Sequence, residues 1–336
     1  MRLITYSRDG RQKLGAWIDD DQRIVDLHAA ALLAGSRHVN ALTSMLSLIE
    51  AGQSALDDVR GLVKEPPAEV VVATDEVRLL APLPVPAQIR DFMSFEQHLI
   101  NAWLAQAEIV IAGADDPEMK RQELAEQGYA GVPPIWYEQA IYYTTNRFQV
   151  SAPGDEIQWP TYSALMDFEL EFAAIIGKSG KDIEARQATE YIFGYTIYND
   201  WSARDMQAKV MEGRLGPGRG KEFDGGITLG PCIVTADEIG DPYSLSMRAF
   251  VNGVQWAEGS TSTMYRRFED CIRDLTESQT IHPGEVLGSG TVATGCGLEQ
   301  NRFLQDGDLV ELEVERIGRI SNRVQMSERQ KARLSQ

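Results

Sequence analysis

The chain is 336 residues long, 43% hydrophobic and 24% charged, enough to bury a large core and more than one compact domain usually holds. With 50 acidic against 32 basic residues the formal charge is -18, a field that repels phosphate backbones and anionic headgroups and so makes nucleic acid and membrane surfaces poor partners. Cys232, Cys271 and Cys296 show no paired spacing, there is no signal-peptide pattern, and no run nears the about 18 apolar residues of a membrane span, so a soluble cytoplasmic protein is expected. Four histidines, at 28, 38, 98 and 282, are too scattered for a histidine-rich zinc site. Any metal must then be held by oxygen.

Arg2 to Tyr6, Lys13 to Ile18 and Ile24 to Leu27, joined by turns at Asp9-Gly10 and Asp19 to Asp21, read as a small meander. From Ala29 to about Val63 apolar residues recur at three- and four-residue steps, as in Leu42, Met45, Leu46 and Leu48, which predicts two helices stopped by Pro66 and Pro67. A strand over Val77 to Leu80 then meets Pro82-Leu83-Pro84-Val85-Pro86, whose prolines favour extended chain. A boundary near residue 80 divides a small N-terminal α/β domain, 1–80, from a larger domain, 81–330.

Ala102 to Gln127 reads as charged helix, and Pro133 to Arg147, with Trp136, Tyr137, Tyr142 and Tyr143, as a mobile aromatic lid. Beyond it come short β-rich runs between glycines and prolines: Phe148 to Val150, Phe168 to Ile176, Ile192 to Asn199, Cys232 to Thr235, Leu245 to Val251 and Leu309 to Val314. A β core with a few helices is implied. No fixed-period repeat or low-complexity tract is visible.

In Met166-Asp167-Phe168-Glu169-Leu170-Glu171-Phe172 an extended backbone points Glu169 and Glu171 the same way, with Asp167 in line behind. Like charges on an apolar strand repel unless a cation lies between them, and paired carboxylates suit a hard ion. The same alternation equally describes the solvated face of a half-buried strand.

Downstream, Tyr195 to Asn199 is an apolar strand ending in Asp200, with Ser202 placed to cap a turn that carries Arg204 and Gln207 on one face. Asp200 can add a carboxylate; Arg204 and Gln207 can donate to an anion; a capped helix with an Arg204-Asp205 surface pair is the plainer account. The glycine-rich run Leu215 to Gly226 holds Lys221 and fails as a phosphate loop, because no Ser or Thr follows the lysine. A flexible turn with a solvated lysine would look the same. Upstream, Asp91 and His98 open the second domain, and a neutral imidazole suits a general base near pH 7.

In this order, Asp91-Phe92 with Gln97-His98, Asp167 to Glu171, Asn199 to Asp205, Gly220-Lys221 and Ser289-Gly290-Thr291 resemble the fumarylacetoacetate hydrolase family from about residue 80 to 325. Residues 2 to 27 look like the small N-terminal domain of many bacterial members. The resemblance implies an α+β fold, with a mixed β-roll and β-sandwich catalytic domain and a small N-terminal α/β domain. It implies that Asp91, Glu169, Glu171 and Asp200 hold Mg2+ or Ca2+, with Mn2+ as a further candidate. It also implies that His98 is the base, oriented by a late glutamate for which Glu299 is the candidate.

Arg204, Gln207 and Lys221 would stabilise developing negative charge, and with Thr291 they would bind substrate. The implied reaction is hydrolytic carbon-carbon cleavage in a small 1,3-dicarbonyl oxo acid, such as an acylpyruvate or fumarylacetoacetate-like compound of aromatic catabolism. Decarboxylation, hydration or isomerisation of a 2-oxo acid is the alternative on the same metal site, and a metal-stabilised binding protein without turnover the third. Family members pair as homodimers. Met93 and Met211 stand where tyrosines of the hydrolase itself touch substrate.

Overall fold

The computed structural model describes residues 1–126 and 131–334. Leu170–Ile176 reads LEFAAII and is buried along its whole length, as a central strand covered on both faces must be. Its side chains alternate between two cores: Phe172, Ala174 and Ile176 join one apolar cluster, Ala173 and Ile175 the other.

That strand lies within a 12-stranded mixed sheet whose order across is Val71–Ala73, Arg23–Asp26, Arg11–Ile18, Arg2–Arg8, Ile227–Thr235, Ile192–Asp200, Leu170–Ile176, Glu285–Gly288, Gln88–Phe92 and Tyr142–Thr145, with two further strands pairing off this path. A five-stranded sheet of Val254–Ser260, Ser246–Val251, Leu309–Val314, Gly318–Gln325 and Glu156–Gln158 covers one face. Met247, Ala249, Leu312 and Val314 from it share a core with Phe172 and Ile197. The α+β sandwich expected from the resemblance is therefore present.

The N-terminal meander is found, and it continues the same sheet: Arg2 pairs with Val234 and Leu3 with Ile233. Residues 29–63 form three α-helices where two were expected. Gly35 in the left-handed region ends Leu27–Ala34, and Ser44 caps Met45–Ala51 by accepting from the Ser47 amide. Gly52, at φ 72°, parts that helix from Gln53–Lys64.

The helix expected over Ala102 to Gln127 begins earlier and is broken in two, Glu96–Ala112 and Pro117–Glu126; Gln127 lies outside the described residues. Gly113 to Asp116 interrupt it, and Asp116 accepts from the Met119 amide to start the second piece. The segment 133–147 is no lid. Trp136 is buried and its Nε1 donates to the Met93 carbonyl at 2.7 Å, while Tyr142–Thr145 hydrogen-bonds along Gln88–Phe92 as a sheet strand. Trp136 packs against Tyr137 and Tyr265, while Tyr137 and Tyr142 stay exposed at the surface. Among the described residues no helix is long and apolar enough to cross a membrane.

Candidate functional site

Three neighbouring strands bring the first carboxylates together. Gly288 is paired with Ala173 on one side and Asp91 on the other, so Asp91 projects from the same face as Glu171. The missing side chain of Gly288 makes this possible, since a Cβ there would lie 2.4 Å from Asp91 Oδ1 and 3.3 Å from Glu171 Oε2. On the other flank Glu171 is opposite Tyr198, and Asp200 two residues on shares that face. Asp91, Glu171 and Asp200 thus each offer an oxygen within 4.8 Å of the others, and all three are buried.

Glu169, the fourth acid expected in this set, is not in that cluster. It sits just before the strand and is claimed by cations: Lys221 Nζ lies 2.5 Å from Glu169 Oε2 and 2.7 Å from Asp200 Oδ2, and Arg204 Nη2 2.8 Å from Glu169 Oε1. Lys221 is neither solvated nor on a loose turn. It is 2% exposed and donates also to Ser202 Oγ at 2.6 Å. Gly220 allows this approach, because a Cβ there would fall 2.5 Å from the Gln207 Cα.

Ser202 itself does not cap the following helix. It lies in the short strand Ser202–Ala203, donates to the Asp200 carbonyl at 3.0 Å, and Arg204–Met211 starts from Ala203 without a side-chain cap. Nor do Arg204 and Asp205 form a surface pair. Arg204 Nε donates to buried Asp167 at 2.8 Å and Nη1 to Gln207 Oε1 at 2.9 Å, whereas Asp205 accepts from Ser163 and Ala164. Arg204 Nη2 is close to two carboxylates yet out of hydrogen-bond alignment with both.

The electrostatics are those of a cation site. Asp91, Asp167, Glu169, Glu171 and Asp200 are buried against only Lys221 and Arg204 in this constellation. Burial, then the charge of Asp200, pushes the Asp91 carboxyl well above the usual range; burial, then Asp91, does the same for Glu171. Burial raises Asp200 to about 6, with Lys221 opposing it, while Lys221 and Arg204 overcome the burial cost at Glu169 and hold it down at about 2. Asp200 Oδ1 is buried with no hydrogen-bond partner. Excess carboxylates, one orphaned oxygen and all-oxygen donors fit a hard divalent cation.

Because Lys221 is the nearest positive charge to both Glu169 and Asp200, Lys221→Met should destabilise the cation-stripped protein by about 3–5 kcal/mol. Calorimetry should show its thermal midpoint lowered by about 5–10 °C and partly recovered on adding Mn2+. An unchanged midpoint would mean these acids are already neutral.

Beside the acids stands His98, in the first turn of Glu96–Ala112. Its Nδ1 is 2.7 Å from Glu299 Oε1, and the other Glu299 oxygen accepts from Asn101 Nδ2 at 2.7 Å and the Thr294 amide at 2.8 Å. Glu299 rides on the turn Leu298–Gln300, which Asp167 anchors by accepting from the Gly297 and Leu298 amides at 2.8 and 2.9 Å. Thr291 Oγ1 donates to Glu171 at 3.2 Å, and the Gly290 amide to its other oxygen at 3.0 Å.

All but one of the residues singled out from sequence line a single cavity of about 350 Å³: Asp91, His98, Glu169, Glu171, Asp200, Arg204, Gln207, Lys221 and Thr291. Glu299 supports it from behind His98. Sequence reasoning missed Tyr143, whose hydroxyl donates to Asp200 Oδ2 at 2.5 Å, and the anchoring roles of Asp167 and Asn101. Strand alternation in Tyr142-Tyr143-Thr144-Thr145 was the available signal for Tyr143. Nothing local marked Asn101.

A hard-ion pocket of buried acids, set on interior strands of a mixed sheet and flanked by an oriented histidine, defines a class of enzyme-type site. The family it comes from follows from comparison: residues 119–325 match the fumarylacetoacetate (FAA) hydrolase C-terminal family, and the chain belongs to the fumarylacetoacetate hydrolase family. It is similar to the mitochondrial oxaloacetate tautomerase fahd2 of Xenopus laevis, 30% identical over 331 residues, 96% of this chain and 90% of that one. Among solved structures it resembles the fumarylacetoacetate hydrolase of Exiguobacterium antarcticum, at 26% identity and TM-score 0.70 over 97% of this chain and 100% of the other. It shares its fold with the maleylpyruvate hydrolase of Sphingobium sp. SYK-6 in complex with manganese(II) and pyruvate, at 20% identity and TM-score 0.68 over 98% and 100% of the two chains.

Proposed function

We propose that this protein is a divalent-cation-dependent enzyme that hydrolyses a carbon-carbon bond in a small 2,4-dioxo acid. The observation that carries the reading is the His98–Glu299 pair at 2.7 Å on the wall of the cavity whose floor is Asp91, Glu171 and Asp200. Those three acids would hold Mg2+, Ca2+ or Mn2+. Glu169, which the resemblance assigns to the same set, is held by Lys221 and Arg204. A cation held there would supply Lewis-acid polarisation of the bound oxo acid.

The chain's own residues supply the rest. With Nδ1 donating to Glu299, the imidazole presents Nε2 as an acceptor, and the carboxylate raises its basicity. His98 then takes a proton from water, which adds to the 4-oxo carbon; the bond from C3 to C4 breaks, releasing a carboxylic acid and the enolate of pyruvate. Lys221, Arg204 and Gln207 stabilise the negative charge that develops, and Thr291 helps orient the bound acid. The imidazolium of His98 returns its proton to the enolate at C3, which gives pyruvate and restores the neutral base. A homodimer is part of this proposal.

The similarity to an oxaloacetate tautomerase favours a second reading. The same base would move a proton from C3 of a 2-oxo acid without adding water. Oxaloacetate carries a second carboxylate, as does maleylpyruvate, the compound named for the structural neighbour. Acetylpyruvate and oxaloacetate, each with Mn2+ or Mg2+ and with EDTA, separate the two. Hydrolysis should bleach the enol ultraviolet band with cation only and give acetate and pyruvate by mass spectrometry. Turnover undiminished by EDTA would refute the cation-dependent mechanism, and exchange with deuterated water at unchanged carbon skeleton would favour the tautomerase.

A further inference from the structure

We infer that the acid bound in this cavity carries a neutral, apolar arm beyond its oxo group, and that a second terminal carboxylate is selected against. The inference rests on the oxo-acid reading above and deepens it.

At about 350 Å³ the cavity is in the size range of an extended organic ligand and exceeds what a three-carbon acid fills. Its two ends differ in chemistry. The buried acids, Lys221, Arg204 and His98 form one end. From there the helix Glu96–Ala112 runs away, and Leu99, Ala102, Trp103 and Val110 line the cavity from one of its faces at helical spacing. Val110 lies about 18 Å along the axis from His98. Met211 lines the cavity from the far end of Arg204–Met211, with Met93 on the wall.

These side chains carry no positive charge, and the neutral donors among the helix residues on this wall are the Trp103 indole N–H and the Gln106 amide. Among the described residues lining the cavity the lysine and arginine are Lys221 and Arg204 alone, and both are engaged at 2.5–2.8 Å by Asp167, Glu169 and Asp200 at the acid end. Past Met211 the next lining residue is Glu212. A carboxylate carried outward on the substrate would leave water for apolar walls and meet a like charge. An alkyl or aryl arm would instead bury against Leu99, Trp103 and Met211.

The test uses two acids of the same shape, 5-methyl-2-oxohexanoate and 2-oxoglutarate, which differ in a terminal isopropyl against a terminal carboxylate. Isothermal titration of each into the Mn2+-loaded full chain should show the apolar acid binding about tenfold or more tightly. Ala102→Lys, one helical turn or about 6 Å along the axis from His98 on the cavity wall, puts a cation within reach of a five-carbon acid's terminal carboxylate and should narrow or reverse that ratio by strengthening 2-oxoglutarate binding about tenfold. Equal or tighter binding of 2-oxoglutarate by the unaltered protein would overturn the inference while leaving the oxo-acid reading intact. Binding of Mn2+ but of neither acid would overturn both.

Discussion

His98→Ala should lower kcat by about a thousandfold while leaving the cation's effect on thermal stability intact, because it removes a proton acceptor and no ligand. The imidazole is oriented by one contact, Nδ1 to Glu299 Oε1 at 2.7 Å, and Glu299 is itself fixed by Asn101 and the Thr294 amide. Glu299→Gln keeps the shape but removes the charge that supports an imidazolium, so a loss of about ten- to a hundredfold in kcat is expected with KM little changed. Steady-state kinetics on acetylpyruvate, with Mn2+ saturation followed by calorimetry, checks both. A His98→Ala enzyme within a few-fold of the parent would mean that water is activated elsewhere, and the hydrolytic mechanism would fall.

Asp200→Asn should abolish the cation's contribution and yet stabilise the stripped protein, two effects of opposite sign from one substitution. An asparagine can still accept from Tyr143 and Lys221 through one oxygen. Its amide nitrogen replaces the unpartnered Oδ1 and faces acids instead of repelling them. Loss of a charged ligand should weaken Mn2+ binding by about a hundredfold or more. A variant that binds Mn2+ as tightly as the parent would remove Asp200 from the site.

The parent carries the matching pH signature. Burial, with Glu169 adding to it and Lys221 opposing, raises Asp200 in the folded protein to about 6. The folded state therefore holds that proton more tightly than the unfolded chain, and the stripped protein loses stability as pH rises through about 6; Asp91 and Glu171, raised for the same reason, act in the same direction. A cation binds the deprotonated acids. The rise in melting temperature on adding Mn2+ should thus be largest above pH 7 and shrink toward pH 5.5, with apparent affinity falling about tenfold per pH unit for each proton displaced. Melting curves with Mn2+ and with EDTA across that range decide it, and a cation effect independent of pH would refute the linkage.

How far the sequence reached depends on the distance over which each signal acts. The apolar run from Phe168 to Ile176 is a local signal and correctly marked a strand, found buried over Leu170–Ile176, whereas alternation alone left the setting of its acids open. Apolar runs between glycines and prolines marked most of the sheet, and the ordered motifs named the residues that line the cavity. Helix breaks at Gly35, Gly52 and Gly113 were present as residues, but their effect depended on caps that periodicity averages away. The aromatic run at 133–147 was read as a mobile lid because nothing local shows that Tyr142–Thr145 pairs with Gln88–Phe92 as a sheet strand.

What the sequence by itself determined is the chemistry available: an excess of acid, oxygen donors for any ion, a histidine, His98, seven residues after Asp91, and the lysine and arginine of the ordered motifs. Tertiary structure decided which of these meet. Register across three strands, with the space left by Gly288, put Asp91 beside Glu171; burial of Lys221 drew Glu169 aside; Tyr143 came in from a neighbouring strand, and Asn101 from a helix with no local mark. The physical reason is range. Backbone preference acts over a few residues, whereas a cluster of buried charge is assembled by strand pairing between segments more than a hundred positions apart, where only the folded geometry sets the distances.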